Sequence, residues 1–171
     1  MAIELTTDSK GRVHCVVKQT YHNSCGPACI AMVQSAYFGR CVGDPEAQAR
    51  QLSRKYWGSF DQMKGTQMMN LVDVLQAERI KCSNVQAAGS SNVMLRIRAH
   101  ARPATPMILR VVWKSGGAHF IVAAMVDADK MVTFYDPMYG LVQMPGDRLP
   151  SYQPKPNVVG SFSGDVIHTY K

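Results

Sequence analysis

The spacing of apolar positions changes character near Pro103, about three fifths of the way along the chain. Before that point the clearest pattern is residues 25–38, CGPACIAMVQSAYF, where apolar side chains recur at helical spacing and stop at Gly39. Pro27 fits this helix because the first turn has no intrahelical acceptor for the N–H that proline lacks. The pattern predicts a buried helix that begins at Cys25 or just before it.

Weaker helical patterns accompany this one, and strand patterns follow Pro103. Further helices are predicted over residues 45–57, 66–80 with Thr66 as the cap, and 91–101. Short apolar runs typical of strands occupy residues 107–113, 119–126, 131–136, 140–144 and 166–170. The order predicts an α+β fold, with an N-terminal helical part packed on a C-terminal antiparallel sheet.

Length and composition indicate a folded domain without membrane spans. The 171 residues are 46% hydrophobic and 18% charged, and the longest strongly apolar run, residues 120–126, is far shorter than a membrane span. The first residues, MAIELTTDSKGR, lack the pattern of a signal peptide, so we expect synthesis in the bacterial cytoplasm. We expect a single domain over residues 1–171, with a core over about 12–145 and a C-terminal extension over 146–171.

The net charge is positive, but the basic residues are dispersed. Nineteen Lys and Arg against twelve Asp and Glu give +7, and no basic tract is denser than Arg54-Lys55 or Arg96-Ile97-Arg98. This distribution argues against direct nucleic-acid binding and is equally compatible with an acidic protein partner.

Cys25 is the candidate nucleophile among five cysteines, an odd number that argues against a disulfide scaffold and leads us to expect free thiols. At the N-terminus of the first helix, unpaired backbone N–H groups and the positive end of the dipole would stabilise a thiolate. The alternative is a buried structural cysteine. Gln19, six residues earlier, could help the Cys25 N–H to face a developing oxyanion. A zinc site at His22, Cys25 and Cys29 is a poor match to known ligand spacings.

His119 is the best-placed base, because it opens an apolar strand just after Gly116-Gly117. If residues 127–130 close a hairpin with two central residues, Asp136 lies opposite Ile121. Asp136 is then a diagonal neighbour of His119 on the same face, about 7–8 Å away at the backbone. The register therefore permits a His119–Asp136 pair, in which the carboxylate would fix the imidazole tautomer. The alternatives are a hydrogen-bonded sheet histidine and a turn-forming aspartate before Pro137.

Together these motifs resemble one family over roughly residues 12–145. Gln19-Thr-Tyr-His-Asn-Ser-Cys25-Gly-Pro-Ala-Cys29, Gly-Ala-His119-Phe-Ile-Val and Thr-Phe-Tyr-Asp136-Pro137 are similar to the papain-like double-glycine leader peptidases, the bacteriocin-processing domains of some bacterial ABC transporters. The resemblance implies a papain-like cysteine protease fold and cleavage after Gly-Gly in a narrow groove. It also implies Cys25 as nucleophile, His119 as general base and acid, Asp136 as orienting carboxylate and Gln19 as oxyanion-hole donor, without metal or cofactor.

We expect the protein to depart from the transporter peptidases in two respects, its basic charge and the lack of a membrane domain after the peptidase. In these respects it resembles the papain-like toxin domains of bacterial antagonism systems, which are delivered into another cell by a secretion apparatus and restrained at home by an immunity protein. We therefore favour an effector protease with a Gly-Gly protein substrate and an acidic immunity partner. A housekeeping leader peptidase, another Cys-His enzyme such as an amidase, deamidase or peptidoglycan hydrolase, and a non-catalytic Gly-Gly-binding module remain alternatives. Gly117, Ala118 and Trp113 are the predicted substrate-binding residues.

Overall fold

The computed structural model describes residues 3–40, 65–86, 90–147 and 151–171. The helix predicted over residues 45–57 lies outside the described residues. Within them, the predicted α+β architecture is confirmed, because helices pack against a large antiparallel sheet.

Three helices are described. Helix α1 spans Cys25–Phe38 and ends at Gly39, whose left-handed φ of 68° terminates it as the sequence predicts. Helix α2, Met68–Ala77, is shorter than the predicted 66–80, and its N-cap is Gln67 rather than Thr66. Helix α3, Ser90–His100, agrees within one residue with the predicted 91–101. None of the helices in these described ranges is long and apolar enough to span a membrane.

Nine strands are described, and the sequence analysis missed four of them. Strands β1 and β2 form a separate two-stranded ribbon, and the others form a seven-stranded sheet in the order β3-β9-β4-β5-β6-β7, with β8 paired to β9. Strands β1, β2, β3 and β8 were not predicted, because they are short and their alternation is weak. The strands are β1 Ile3–Thr7, β2 Val13–Val17, β3 Lys81–Gln86, β4 Met107–Trp113, β5 Ala118–Val126, β6 Met131–Asp136, β7 Gly140–Pro145, β8 Ser151–Lys155 and β9 Val158–Tyr170.

Helices cover both faces of the sheet, rather than one. Side chains alternate along the strands, so Ile108 and Val122 pack with α1 and α2, whereas Leu109 and Ile121 pack with α3. The burial of apolar side chains on both faces explains why β4 and β5 are nearly continuous apolar runs.

The C-terminal extension is part of this sheet. Strand β9 lies between β3 and β4 and also pairs with β8. The boundary that we placed after residue 145 therefore does not separate a core from an appendage.

The β5–β6 hairpin has the predicted strand pairing near the candidate site, but its turn differs from the predicted one. The loop has three residues rather than two, since Asp127 N–H bonds the Met131 carbonyl and Lys130 has a φ of 63°. This turn shifts the pairing by one residue, and a bulge between Ala123 and Met125 shifts it back. Val122 therefore pairs with Tyr135, which sets Asp136 opposite Ile121 as predicted.

The expectation that all thiols are free is wrong for Cys15, which is disulfide-bonded. Cys25, Cys29 and Cys82 are free. Cys29 and Cys82 are buried, and burial raises the pKa of both thiols. Cys25 is the partly exposed member of this free group.

Candidate active site

Cys25 occupies the first position of α1, and the helix terminus around it is uncapped. Ser24 precedes it, but the Ser24 hydroxyl is engaged in a turn, donating to the Tyr21 carbonyl and accepting from the Tyr21 N–H, both at 3.0 Å. No side chain in the described ranges caps α1, and its first turn has no acidic residue. The first-turn N–H groups, including that of Cys25, are therefore left to stabilise negative charge on the sulfur or on a bound substrate.

Close packing fixes the start of α1. A Cβ added at Gly26 would lie 3.0 Å from Thr66 Cβ and 3.2 Å from Leu71 Cδ2. Glycine thus allows the segment before α2 to approach the Cys25 end of α1 closely, which places Thr66 in the wall of the cleft.

His119 and Asp136 form a buried pair where β5 begins and β6 ends. Asp136 Oδ1 lies 2.8 Å from His119 Nε2, and the two residues are 0% and 3% exposed. Burial alone would lower the pKa of His119, but hydrogen bonds with Asp136 and Cys25 outweigh it and raise the pKa from 6.5 to about 9. Since Nε2 is bonded to Asp136, Nδ1 is the ring nitrogen left for the hydrogen bond with Cys25.

Four hydrogen bonds from described residues hold Asp136. Oδ1 also accepts from the backbone N–H groups of Met138 at 2.7 Å and Tyr139 at 3.0 Å, while Oδ2 accepts from the Tyr152 hydroxyl at 2.7 Å. Burial alone would raise the pKa of Asp136, but the hydrogen bond and charge of His119 outweigh it and keep the pKa below its ordinary value. The carboxylate is therefore ionised and its orientation is fixed.

Trp113 covers the imidazole. Its ring stacks on His119 with centroids 5.6 Å apart and planes 26° apart. A planar indole on one face of the ring limits how His119 can rotate and excludes water from the His119–Asp136 bond.

The predicted substrate-binding residues line one cavity with the candidate catalytic pair. Cys25, His119, Trp113, Gly117 and Ala118 all border a cavity of about 1100 Å³. Gly116 and Gly117 have φ values of 94° and 84°, so they form the tight hairpin between β4 and β5 that leaves this side of the cavity lined by backbone. Segments 65–68 and 157–159 complete the walls.

Gln19 is not among the residues that line the cavity, and its amide nitrogen is engaged. Its Nε2 donates to the carbonyls of Tyr21 at 3.0 Å and His22 at 2.8 Å, which accounts for both amide hydrogens. The Gln19 backbone N–H donates to the Pro137 carbonyl at 2.9 Å and so connects this segment to the turn after Asp136. In this structure Gln19 braces the loop that leads into α1, and its oxyanion-hole role stays a prediction.

Sequence reasoning missed two contributions to the site. Tyr152 was overlooked because it lies in the segment that we treated as an extension, where neither spacing nor motif marks it. The indole of Trp113 was expected either to line the substrate groove or to pack in the core. A single sequence does not reveal that it stacks on His119.

Comparisons with known proteins identify a family and a fold for the chain. The model of the peptidase C39 family matches residues 14–152, a range that runs from β2 to Tyr152. No curated protein sequence matches the chain.

Solved structures of two peptidase domains share the fold. The peptidase domain of Streptococcus ComA, described as a bifunctional ABC transporter involved in a quorum-sensing pathway, superposes with a TM-score of 0.61 at 18% identity, covering 90% of this chain and 96% of that one. The peptidase domain of Streptococcus mutans ComA gives a TM-score of 0.56 at 16% identity, with 91% and 98% covered. The same domain in complex with a small-molecule inhibitor gives 0.57 at 16% identity and the same coverage.

The family match spans most of the chain, and the structural neighbours confirm the papain-like α+β fold that the motifs imply. The chain belongs to the peptidase C39 family and is a cysteine peptidase.

Proposed function

We propose that the protein cleaves a peptide bond after a Gly-Gly pair, with Cys25 as nucleophile, His119 as general base and acid, and Asp136 as the orienting carboxylate. The observation that carries the proposal is the buried 2.8 Å bond between His119 Nε2 and Asp136 Oδ1, which leaves Nδ1 for Cys25 at the uncapped start of α1. A catalytic triad consists of a nucleophile hydrogen-bonded to a base, and the base in turn hydrogen-bonded to an orienting group.

The chemistry proceeds in two stages. In the first, the Cys25 thiolate attacks the carbonyl carbon of the second glycine, and the oxyanion is bound by the Cys25 N–H. His119 Nδ1 gives its proton to the leaving amine, so the C–N bond breaks and a thioester remains. In the second, His119 takes a proton from water, the hydroxide attacks the thioester, and the carboxylate product leaves as the Cys25 sulfur is released.

Gln19 is the proposed second oxyanion donor, and its position implies a rearrangement. Both amide hydrogens are donated to loop carbonyls, so one of these bonds must be exchanged for the oxyanion. Through such an exchange, substrate binding would change the hydrogen bonds of the loop that precedes Cys25.

The preference for glycine rests on the resemblance of the motifs and on the walls of the cavity. Trp113 lies over His119, while Gly117 and Ala118 contribute mostly backbone, a combination that suits an extended chain without side chains. We test it with two peptides that differ only in Gly-Gly against Ala-Ala at the predicted cleavage position. We expect cleavage of the Gly-Gly peptide alone, and equal rates for the two peptides would contradict the proposed specificity.

We propose further that the physiological role is that of a bacterial effector protease delivered into a target cell and restrained by an acidic immunity protein. The net charge of +7 supports this. The cavity wall does so too, because the described residues that line it include Arg110 and Lys114 but no Asp or Glu. Arg110 is partly neutralised by Asp165 at 3.4 Å, so Lys114 is the stronger attraction for an acidic chain. Binding of such an inhibitor should weaken as salt rises, and binding indifferent to salt would contradict the charge argument.

The experiment that separates this role from the alternatives is N-terminal proteomics of bacteria expressing the wild type or Cys25→Ala. New termini after Gly-Gly in cytosolic proteins are expected for an effector. New termini on a small secreted peptide would instead assign leader processing. Altered cell-wall fragments without new protein termini would assign a peptidoglycan amidase.

A further inference from the structure

Tyr152 contacts the candidate triad at Asp136 and does not line the cavity. It lies on β8, is 0% exposed, and its hydroxyl donates to Asp136 Oδ2 at 2.7 Å. We propose that Tyr152 is a positioning residue for the peptidase reaction, holding the Asp136 carboxylate in the plane that serves His119. The inference rests on the proposed function of His119 and Asp136.

The two oxygens of Asp136 are supported unequally. Oδ1 accepts from His119 and from the backbone N–H groups of Met138 and Tyr139, whereas the hydroxyl of Tyr152 is the donor to Oδ2 among the described residues. A buried carboxylate oxygen without a donor is costly, and water has no access to a side chain that is 0% exposed. Without the hydroxyl, the Asp136 carboxylate would lower its free energy by rotating or by taking up a proton. Either change weakens its bond to His119.

Toward the Asp136 carboxylate, the hydroxyl of Tyr152 acts as a donor. Burial and the neighbouring Asp136 carboxylate raise the pKa of Tyr152 well above its ordinary value, so the phenol keeps its proton throughout the range in which His119 titrates. The ring is clamped by Phe134 and Phe162, with centroids 5.4 Å and 6.3 Å away, so the direction of the hydroxyl is fixed by the core.

The same ring also supports the indole above His119. Tyr152 and Trp113 have centroids 6.1 Å apart, and Trp113 in turn stacks on His119 at 5.6 Å. Tyr152 therefore reaches the imidazole along two routes, through Asp136 by a hydrogen bond and through Trp113 by packing. Tyr152→Phe removes the first route and keeps the second.

A matched control exists in Tyr135, the neighbour of Asp136 on β6. Its hydroxyl is 2.9 Å from His14 Nδ1 in a part-buried contact away from the cavity. Tyr135→Phe thus removes one internal hydroxyl from the same strand as Asp136 without touching the carboxylate.

The test measures kcat/KM for the Gly-Gly peptide and the titration of the His119 ring by NMR. For Tyr152→Phe we expect kcat/KM to fall about ten-fold or more, the size expected for a hydrogen bond to a charged group, and the pKa of His119 to fall from about 9. The other titratable groups near the pair are Cys25, Cys29, Lys18 and Tyr139. The same titration is therefore followed in Tyr135→Phe, where the pKa of His119 should stay near the wild-type value.

An unchanged His119 titration in a folded Tyr152→Phe protein would overturn the inference, even if stability fell. If this variant does not fold, 3-fluorotyrosine placed at position 152 keeps the ring and the hydroxyl. Its ¹⁹F chemical shift should change as the pH passes through the pKa of His119. A chemical shift that stays constant while His119 titrates would overturn the inference. Failure of the proposed function is distinguished by Cys25→Ala, because full activity in that variant would refute the triad itself.

Discussion

At the scale of single residues, the decisive feature is which oxygen of Asp136 each partner contacts. The N–H groups of Met138 and Tyr139 both donate to Oδ1, the oxygen that faces His119. In Asp136→Asn these two donors would hold the amide oxygen at the same place and turn the NH₂ group toward Tyr152, whose hydroxyl can accept. The imidazole tautomer would then be preserved.

This geometry predicts a moderate effect of Asp136→Asn. We expect kcat/KM to fall about ten-fold, since orientation is kept while the negative charge is lost, and the pKa of His119 to fall below about 9. Asp136→Ala removes the acceptor and should cost about a thousand-fold. Kinetics with the Gly-Gly peptide check both values, and equal losses in the two variants would contradict a role in orientation.

The residues of the site differ in how far the sequence could predict them. Cys25 is marked by a helix pattern that begins at it, and His119 by an apolar strand after two glycines, so both positions follow from local physics. The bonds from Gln19 to loop carbonyls depend on the fold of residues 20–24, which no periodicity encodes. Tyr152 depends on a strand pairing between distant segments, so its contact with Asp136 required the structure.

At the scale of elements, the pairing of β5 with β6 was predicted correctly at the site and wrongly at the turn. A three-residue loop and a bulge at Ala124 shift the register in opposite directions, so the pairing near Asp136 agrees with the simple hairpin. The sequence could not reveal either deviation, because Lys130 is not a residue type that marks a left-handed turn. The core strands β4 and β6, by contrast, have the predicted bounds, since continuous burial leaves an unambiguous apolar run.

The contact between β4 and β9 makes a sharp prediction at Gly160. A Cβ there would overlap Val111 Cγ1 and lie 2.8 Å from Cε3 of Trp113, whose ring stacks on His119. Gly160→Ala should therefore reduce the free energy of unfolding by about 1–3 kcal/mol through overpacking and also lower kcat/KM by displacing Trp113.

Gly39→Ala is the control for this prediction. Its φ of 68° strains an alanine, but a Cβ there meets nothing within 4 Å and the site is at the far end of α1. It should cost about 1 kcal/mol of stability without changing kcat/KM. Thermal unfolding and peptide kinetics of both variants provide the comparison, and loss of stability with full activity in Gly160→Ala would refute the coupling to Trp113.

At the scale of the whole molecule, the described C-terminal residues bind the sheet together. Because β9 lies between β3 and β4, we propose that the described segments fold as a single unit. A protein that ends after Pro145 lacks both β8 and β9 and should be unfolded by circular dichroism, whereas removal of Lys171 alone should have no effect. A folded, active protein ending at residue 145 would contradict the single unit and support the core over about 12–145 that the sequence predicts.

The stability of the whole molecule should depend on pH in both directions. The pKa of His119 is about 9 in the folded protein against 6.5, so its stabilising contribution is complete below pH 6.5 and is lost as pH rises through 9. Burial lowers the pKa of His168 to about 4, so the unfolded chain takes up the extra proton between pH 6.5 and 4 and stability falls as pH falls through that range. Urea unfolding across this range checks both limbs. His119→Gln should remove the loss of stability at alkaline pH and leave the loss at acidic pH unchanged. If the alkaline loss stayed the same, its assignment to His119 would be contradicted.

The central claim is that Cys25 cuts peptide bonds after Gly-Gly, and mass spectrometry of peptide products tests it most directly. A Gly-Gly peptide is incubated with the wild type, with Cys25→Ala, and with Cys29→Ala, which removes a buried free thiol one helical turn away in α1. We predict a product that ends in Gly-Gly for the wild type and for Cys29→Ala, and none for Cys25→Ala. The same product at the wild-type rate from Cys25→Ala would contradict the account.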